Sequence, residues 1–188
     1  MQNRKLIYST LILLIILAAI VASIILASHK NGLNVYFLNV GQGDSILISE
    51  GQNQVLIDGG QDGNLLLQKL GKYIPFWDRK IEIVVSTHPD QDHIGGLIDV
   101  FRAYNIETII KTNAKSDSEI YKKLEEEIAT ENVQKVEAKK DLSIKFSNGA
   151  AADILFPLNS LPEAVDDASN DNSVVIKCLY FYRPVRNK

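Results

Sequence analysis

Nine residues near the middle of the chain hold most of its chemistry: His88-Pro89-Asp90-Gln91-Asp92-His93-Ile94-Gly95-Gly96. They offer four metal-ligating side chains, His88, Asp90, Asp92 and His93, within six positions. In an extended loop, positions two apart project to one side, so 88, 90 and 92 can converge. His93 joins them where the loop turns into the next helix. Imidazole and carboxylate together suit zinc, manganese or iron; calcium prefers oxygen throughout. Pro89 disfavours an early helical turn, and Gly95-Gly96 let the backbone pass close to a crowded site. A solvated polar loop is the plainer account of two histidines and two aspartates. Four ligands at the end of an apolar strand, followed by Gly-Gly, make a metal site the better one.

Such a site needs a rigid platform. Ile81–Ser86 is a short apolar run bounded by turn signals and reads as a buried strand feeding the loop. After the loop a helix runs to about Tyr104. Upstream, Leu33–Val40, Ser45–Ser49 and Val55–Ile57 are rich in β-formers, with turn chemistry at Glu50–Asn53. Asp58-Gly59-Gly60 ends the third strand sharply, and Asn64–Ile74 reads as a helix with Leu65, Leu66, Leu67 and Leu70 on its apolar face. Downstream come a strand at Glu107–Lys111, a helix at Ser118–Thr130, and strands at Val133–Ala138, Leu142–Phe146 and Ala151–Phe156. Asn148-Gly149 suits a hairpin turn. Leu158–Asn172 is polar and irregular, and Ser173–Tyr182 is the last strand. Early hairpins followed by strand–helix alternation predict a sheet with helices packed on it, an α/β (α+β) layer fold.

Residues 6–27 form an apolar run without charge. At about 1.5 Å per residue it spans roughly 33 Å, enough to cross a hydrocarbon core. Arg4 and Lys5 precede it, so the positive-inside bias places residues 1–5 in the cytoplasm and the rest outside. A cleaved signal peptide is the rival, but its apolar region is normally shorter and ends in a small-x-small site that VASIILASHK lacks. The expected organisation is a cytoplasmic N-terminus at 1–5, a transmembrane signal-anchor at 6–27, a linker at 28–32 and one domain at 33–188.

Only two of the 20 basic residues precede Ser28 and none of the 23 acidic ones do, so the remainder carries 18 against 23, a balance of −5. That excludes a scaffold binding nucleic acid by charge alone. The single cysteine, Cys178, excludes a disulfide framework and a multi-cysteine zinc knuckle.

The metal loop resembles the H-x-H-x-D-H signature of metallo-β-lactamase-fold hydrolases, with Asp90 in the place of the second histidine. Val40-Gly41-Gln42-Gly43-Asp44-Ser45, Leu56-Ile57-Asp58-Gly59-Gly60 and Asn170-Asp171-Asn172-Ser173-Val174-Val175 resemble segments of that fold in ComEC-like DNA-uptake competence proteins. In those relatives the loop often reads H-P-D-x-D-H-x-G-G. The resemblance covers roughly Leu33 to Phe181 and implies a four-layer αββα sandwich. It implies His88 and Asp90 as ligands of a first metal position, and Asp92 and His93 of a second. Asp92 is also placed to hold or deprotonate the attacking water, and Asp58 to orient a ligand. The implied cofactor is a divalent metal, zinc or manganese, with one ion an option.

A complete site of this kind also draws a histidine, a bridging aspartate and a last histidine from its second half. No histidine follows His93, and Asp153, Asp166, Asp167 and Asp171 come too early for the bridging role. The expectation is therefore an αββα domain with an incomplete second half, a truncated product. Two functions follow. One is a membrane-anchored extracytoplasmic hydrolase with a DNA phosphodiester as substrate. The other is a non-catalytic remnant or interaction module at the membrane, with protein partners unspecified. A lactamase-like role rests on fold analogy alone.

Overall fold

In a computed structural model describing residues 2–27, 32–131, 133–147, 149–161 and 172–179, the chain divides into two units, Met1–Gly32 and Leu33–Lys188. The first is one helix, α1 (Gln2–Ala27), whose described side chains are all exposed. Its segment Arg4–Ser23 is long and apolar enough to cross a membrane. Hydroxyls within it are folded back onto the helix: Ser9, Thr10 and Ser23 donate to the carbonyls of Leu6, Ile7 and Ala19 at 2.7–2.9 Å. An apolar surround can therefore accept these residues without an unsatisfied donor.

In the second unit, β1 (Leu33–Phe37), β2 (Ile46–Glu50) and β3 (Asn53–Ile57) form an antiparallel meander. β4 (Lys80–Ser86), β5 (Asn105–Lys111) and β6 (Gln134–Glu137) continue the same six-stranded sheet in parallel. The parallel steps are made by α2 (Gly63–Leu70), α3 (Gln91–Ala103) and α4 (Glu119–Thr130). β7 (Ser143–Lys145), β8 (Ala151–Phe156) and β9 (Val175–Leu179) form a second, antiparallel sheet.

Two cores follow from the pleat. Leu47, Leu56, Val84 and Ile109 face the helices and pack on Leu66, Leu70, Ile94, Leu97, Ile98, Phe101, Leu124 and Ile128. The 94-97-98-101 spacing is one helical stripe. Ile48, Val55, Ile57, Val85 and Ile110 point the other way, onto Ile144, Ala152 and Ile154 of the second sheet and Val174 just before β9. The layers are thus helix, sheet, sheet. A helix on the outer face of the second sheet, the fourth layer of the expected sandwich, is not among the described residues.

Most element limits agree with the sequence reading to within a few residues. α2 stops four residues early, at Gly71, whose N–H bonds to the Leu67 carbonyl at 3.0 Å. α4 is capped by Ser118, which accepts the Tyr121 N–H at 3.1 Å. Its charged surface is only partly solvated. Lys122, Lys123 and Glu126 face water, but Glu125 pairs with Lys111 and Glu127 with Arg102. Asn148, Asn170, Asp171, the candidates Asp166 and Asp167, and the predicted strand residues beyond Leu179 lie outside the described residues.

The loop after β3 and α3 approach too closely for ordinary side chains. A Cβ on Gly96 would stand 2.2 Å from the Gly59 carbonyl oxygen. Gly96→Ala is expected to cost about 3 kcal/mol by overpacking, measured as a fall in the thermal midpoint of the full chain in detergent. An unchanged midpoint would mean that this approach is not needed for stability.

Candidate metal centre

Three loops meet at the carboxyl ends of β3 and β4, and backbone hydrogen bonds stitch them together. Gly59 N–H donates to the His93 carbonyl (2.7 Å), Gly60 N–H to Asp44 (3.0 Å) and Gly96 N–H to Gly60 (2.9 Å). Val174 N–H donates to the Thr87 carbonyl (3.0 Å), which brings in the strand-entry segment before β9. The motifs Gly41–Ser45, Asp58–Gly60 and His88–Gly96 are therefore parts of one knot. Gly43, at φ +88°, is required there: a Cβ would sit 1.6 Å from the Asp92 carbonyl oxygen.

Asp58 is the hub. It lies 3% exposed at the end of β3 with φ +55°, a left-handed conformation uncommon outside glycine but better tolerated by Asp and Asn. Its Oδ1 accepts the Thr87 N–H (2.8 Å), and its Oδ2 accepts the Thr87 hydroxyl (2.6 Å) and stands 2.9 Å from His93 Nδ1. The Thr87 Oγ1 is also 2.9 Å from His88 Nδ1. A carboxylate only accepts, and the one threonine proton is given to Asp58. Both histidines must then carry their protons on Nδ1, leaving both Nε2 lone pairs free of protons.

The His88 Nε2 is buried without a hydrogen-bond partner. A buried lone pair left this way costs roughly 1–3 kcal/mol, and a cation would remove that cost. Ligand atoms of Asp58, His88 and His93 lie within 4.8 Å of one another, and the two imidazole centroids are 3.9 Å apart. The donor set and the orphaned nitrogen fit a divalent ion.

The two imidazoles differ electrostatically. Burial, reinforced by the neighbouring His93, pushes the His88 pKa below its ordinary value. The Asp58 hydrogen bond raises that of His93, outweighing burial. A proton on His93 occupies Nε2, so it competes directly with a metal.

Asp90 and Asp92 are placed differently from the extended-loop expectation. α3 begins at Gln91, so Asp92 and His93 stand in its first turn instead of continuing an alternating strand. Asp90 is the extended N-cap residue, its carbonyl receiving the His93 and Ile94 N–H groups at 2.9 and 3.0 Å. Its carboxylate makes no capping bond and lies 3.5 Å from His88 Nε2. Asp92 is half-buried, and its charge acts on both histidines. The converging group is thus His88, His93 and Asp58, with Asp90 beside His88.

Thr87 escaped the sequence reading. Its signal was only adjacency to His88, and its role depends on Asp58, 29 residues away. Thr87→Val keeps the shape and deletes the bridge. Metal affinity should fall about 10- to 100-fold, the usual effect of losing such a support, by isothermal titration of the full chain; equal affinity would dismiss the bridge.

The site opens into a cleft of about 670 Å³ between the two sheets, walled by Val35, Phe37, Ile46, Ile48, Ile176 and Cys178.

The profile of the Metallo-beta-lactamase superfamily matches residues 38–138. Among solved structures, a Cronobacter sakazakii metallo-beta-lactamase with a HARLDQ motif aligns at TM-score 0.52 and 15% identity, covering 77% of this chain and 56% of that one. The Rm3 metallo-beta-lactamase aligns at TM-score 0.49 and 16% identity, over 67% and 49%. The chain spans about half the length of these structures. No curated protein matches it. Because the matched segment holds all three stitched loops and more than half of the 188 residues, the chain belongs to the metallo-beta-lactamase superfamily.

Proposed function

We propose that the protein is a membrane-anchored, extracytoplasmic, metal-dependent phosphodiesterase of the ComEC-like type, with DNA as its substrate class. The observation that carries the metal-dependent part is the pair of Nε2 lone pairs fixed by the Thr87–Asp58 bridge, one of them buried and unpartnered. The H-P-D-Q-D-H-I-G-G loop and the Gly41–Ser45 and Asp58–Gly60 motifs support the ComEC-like assignment. Arg4 and Lys5 ahead of the uncharged run at 6–27 support the topology.

His88 and His93 would hold the ion through Nε2, with the Asp90 and Asp92 carboxylates completing its surroundings. A bound divalent cation supplies Lewis-acid polarisation of a phosphoryl oxygen and makes water a nucleophile near neutral pH. Asp58 and Thr87 fix the imidazole tautomers. Asp92, in the first turn of α3, takes up the proton of the attacking water on its carboxylate. The cleft's apolar wall limits water beside the site.

The test is DNA hydrolysis by the full chain in detergent, with zinc or manganese and with chelator. Asp92→Ala should slow it by on the order of 10²-fold or more, the usual contribution of a positioned base. Rates unaffected by chelator and by Asp92→Ala would remove the catalytic reading. A second reading is an interaction module without catalysis. A specific partner captured equally well by Asp92→Ala would support it.

A further inference from the structure

The pole of the domain opposite the metal centre carries an aromatic projection that neither the fold nor the site uses. Asp78 N–H donates to the Pro75 carbonyl at 2.9 Å, closing a turn that has Phe76 and Trp77 at its tip. Phe76 is 80% exposed and Trp77 52%, their rings edge to face at 4.9 Å. The turn is firmly based. Ile74 beside it is 2% exposed, and Tyr73 stacks on Tyr36 of β1 at 4.0 Å. Holding two large apolar rings out on such a base is unfavourable unless something covers them.

The charges around the tip favour one kind of cover. Lys72 and Arg79 flank it, both exposed, and Lys69 lies one turn earlier. None of the three forms an ion pair with a described residue. Asp78, the acid within the turn, is drawn inward, accepting the Lys80 N–H and the Gln54 side-chain amide at 3.2 and 3.0 Å. Glu82 and Glu107 are taken up by Lys80. Tryptophan, tyrosine and phenylalanine beside lysine and arginine form the composition that settles at the boundary of headgroups and acyl chains.

Strand direction places the chain's entry at the same pole. Leu33 pairs with Glu50 and Glu50 with Asn53, while Val55 lies level with Ile83. The first residues of β1, β3 and β4 therefore share one end of the sheet, and Asp58 and His88 follow the other ends of β3 and β4. In sequence, only residues 28–32 separate α1 from Leu33 at that end.

We propose that the Tyr73–Arg79 turn is a bilayer-interface contact, seating Phe76 and Trp77 among lipid headgroups while Lys72 and Arg79 meet anionic lipid. This rests on the reading of α1 as a membrane span. It turns the metal centre away from the lipid surface, toward a substrate arriving from the aqueous side.

Trp77 is the only tryptophan, so its fluorescence reports this turn alone. The full chain is reconstituted in phosphatidylcholine vesicles with and without phosphatidylserine, and integration is checked by alkaline carbonate extraction. The expected result is a blue-shifted emission, quenched by lipids brominated near the headgroup and protected from iodide. Lys72→Glu/Arg79→Glu should reduce the lipid quenching in phosphatidylserine vesicles. A chain that stays integrated while Trp77 remains unshifted and open to iodide overturns the contact alone. A blue shift without lipid quenching, growing with protein-to-lipid ratio, assigns the tip to a second copy and also overturns it. A chain released by carbonate overturns the anchor and the contact together.

Discussion

The purified chain should carry zinc or manganese at about one ion per chain, since the oriented imidazoles provide one cluster among the described residues. The His88→Ala/His93→Ala variant should carry none. The expectation rests on two nitrogens that the fold has already prepared. Each imidazole is fixed with Nδ1 as donor by the Thr87–Asp58 bridge, and the His88 Nε2 has no hydrogen bond to lose. The cost of stripping protons and orienting the rings is thereby met before the ion arrives. Elemental mass spectrometry checks it, with circular dichroism showing that the variant is folded. Folded wild-type protein without metal after exposure to both ions would overturn the site. Occupancy should also fall with pH in a defined direction. His93 holds its proton to a pH above the ordinary 6.5, and that proton sits on the ligating nitrogen. Metal affinity should therefore start to weaken at a higher pH than for an ordinary imidazole as the solution is acidified.

Asp58→Asn should have the next largest effect, through His93. Asparagine tolerates the left-handed backbone at this position, so the turn at φ +55° survives. Its amide has one accepting oxygen where the carboxylate has two, and three donors converge here: Thr87 N–H, Thr87 Oγ–H and His93 Nδ1–H. If the amide nitrogen faces His93, that ring must accept at Nδ1 and carry its proton on Nε2, closing the metal side. A 10- to 100-fold loss of metal affinity is expected, about the cost of removing an orienting carboxylate.

The metal-free protein offers a second readout. The raised His93 pKa contributes stability that is full below the unfolded value and is lost as pH rises through the folded one. The lowered His88 pKa works oppositely, its contribution being present above the unfolded value and lost as pH falls. Asp58→Asn removes the cause of the first shift while leaving burial, the main cause of the second. Its stability should therefore fall relative to wild type most at acid pH, with the gap narrowing as pH rises. Equal losses across that range would show that His93 is not governed by Asp58.

Much of this was legible in the residues themselves. The apolar strand Ile81–Ser86 was readable because a parallel strand covered on both faces needs an uninterrupted apolar run. The 94-97-98-101 stripe of α3 and the Ser118 cap follow from helical geometry and end chemistry, which are local. His88, Asp90, Asp92 and His93 stood out because they are neighbours in sequence. The pairing of Glu125 with Lys111 and of Glu127 with Arg102 left no such signal, because the partners belong to other elements.

The sequence by itself determined the apolar helix, the strand–helix order and the metal-loop chemistry, since each depends on side chains a few positions apart. The tertiary structure decided which of those ligands converge. It began α3 at Gln91, which took Asp92 off the extended alternation, and it brought Asp58 under His93 from 35 residues away. It also made Thr87 part of the site and left the His88 Nε2 without a hydrogen bond. Proton positions on the imidazoles follow from hydrogen bonds between distant strands, and long-range contacts of that kind leave no local pattern to read.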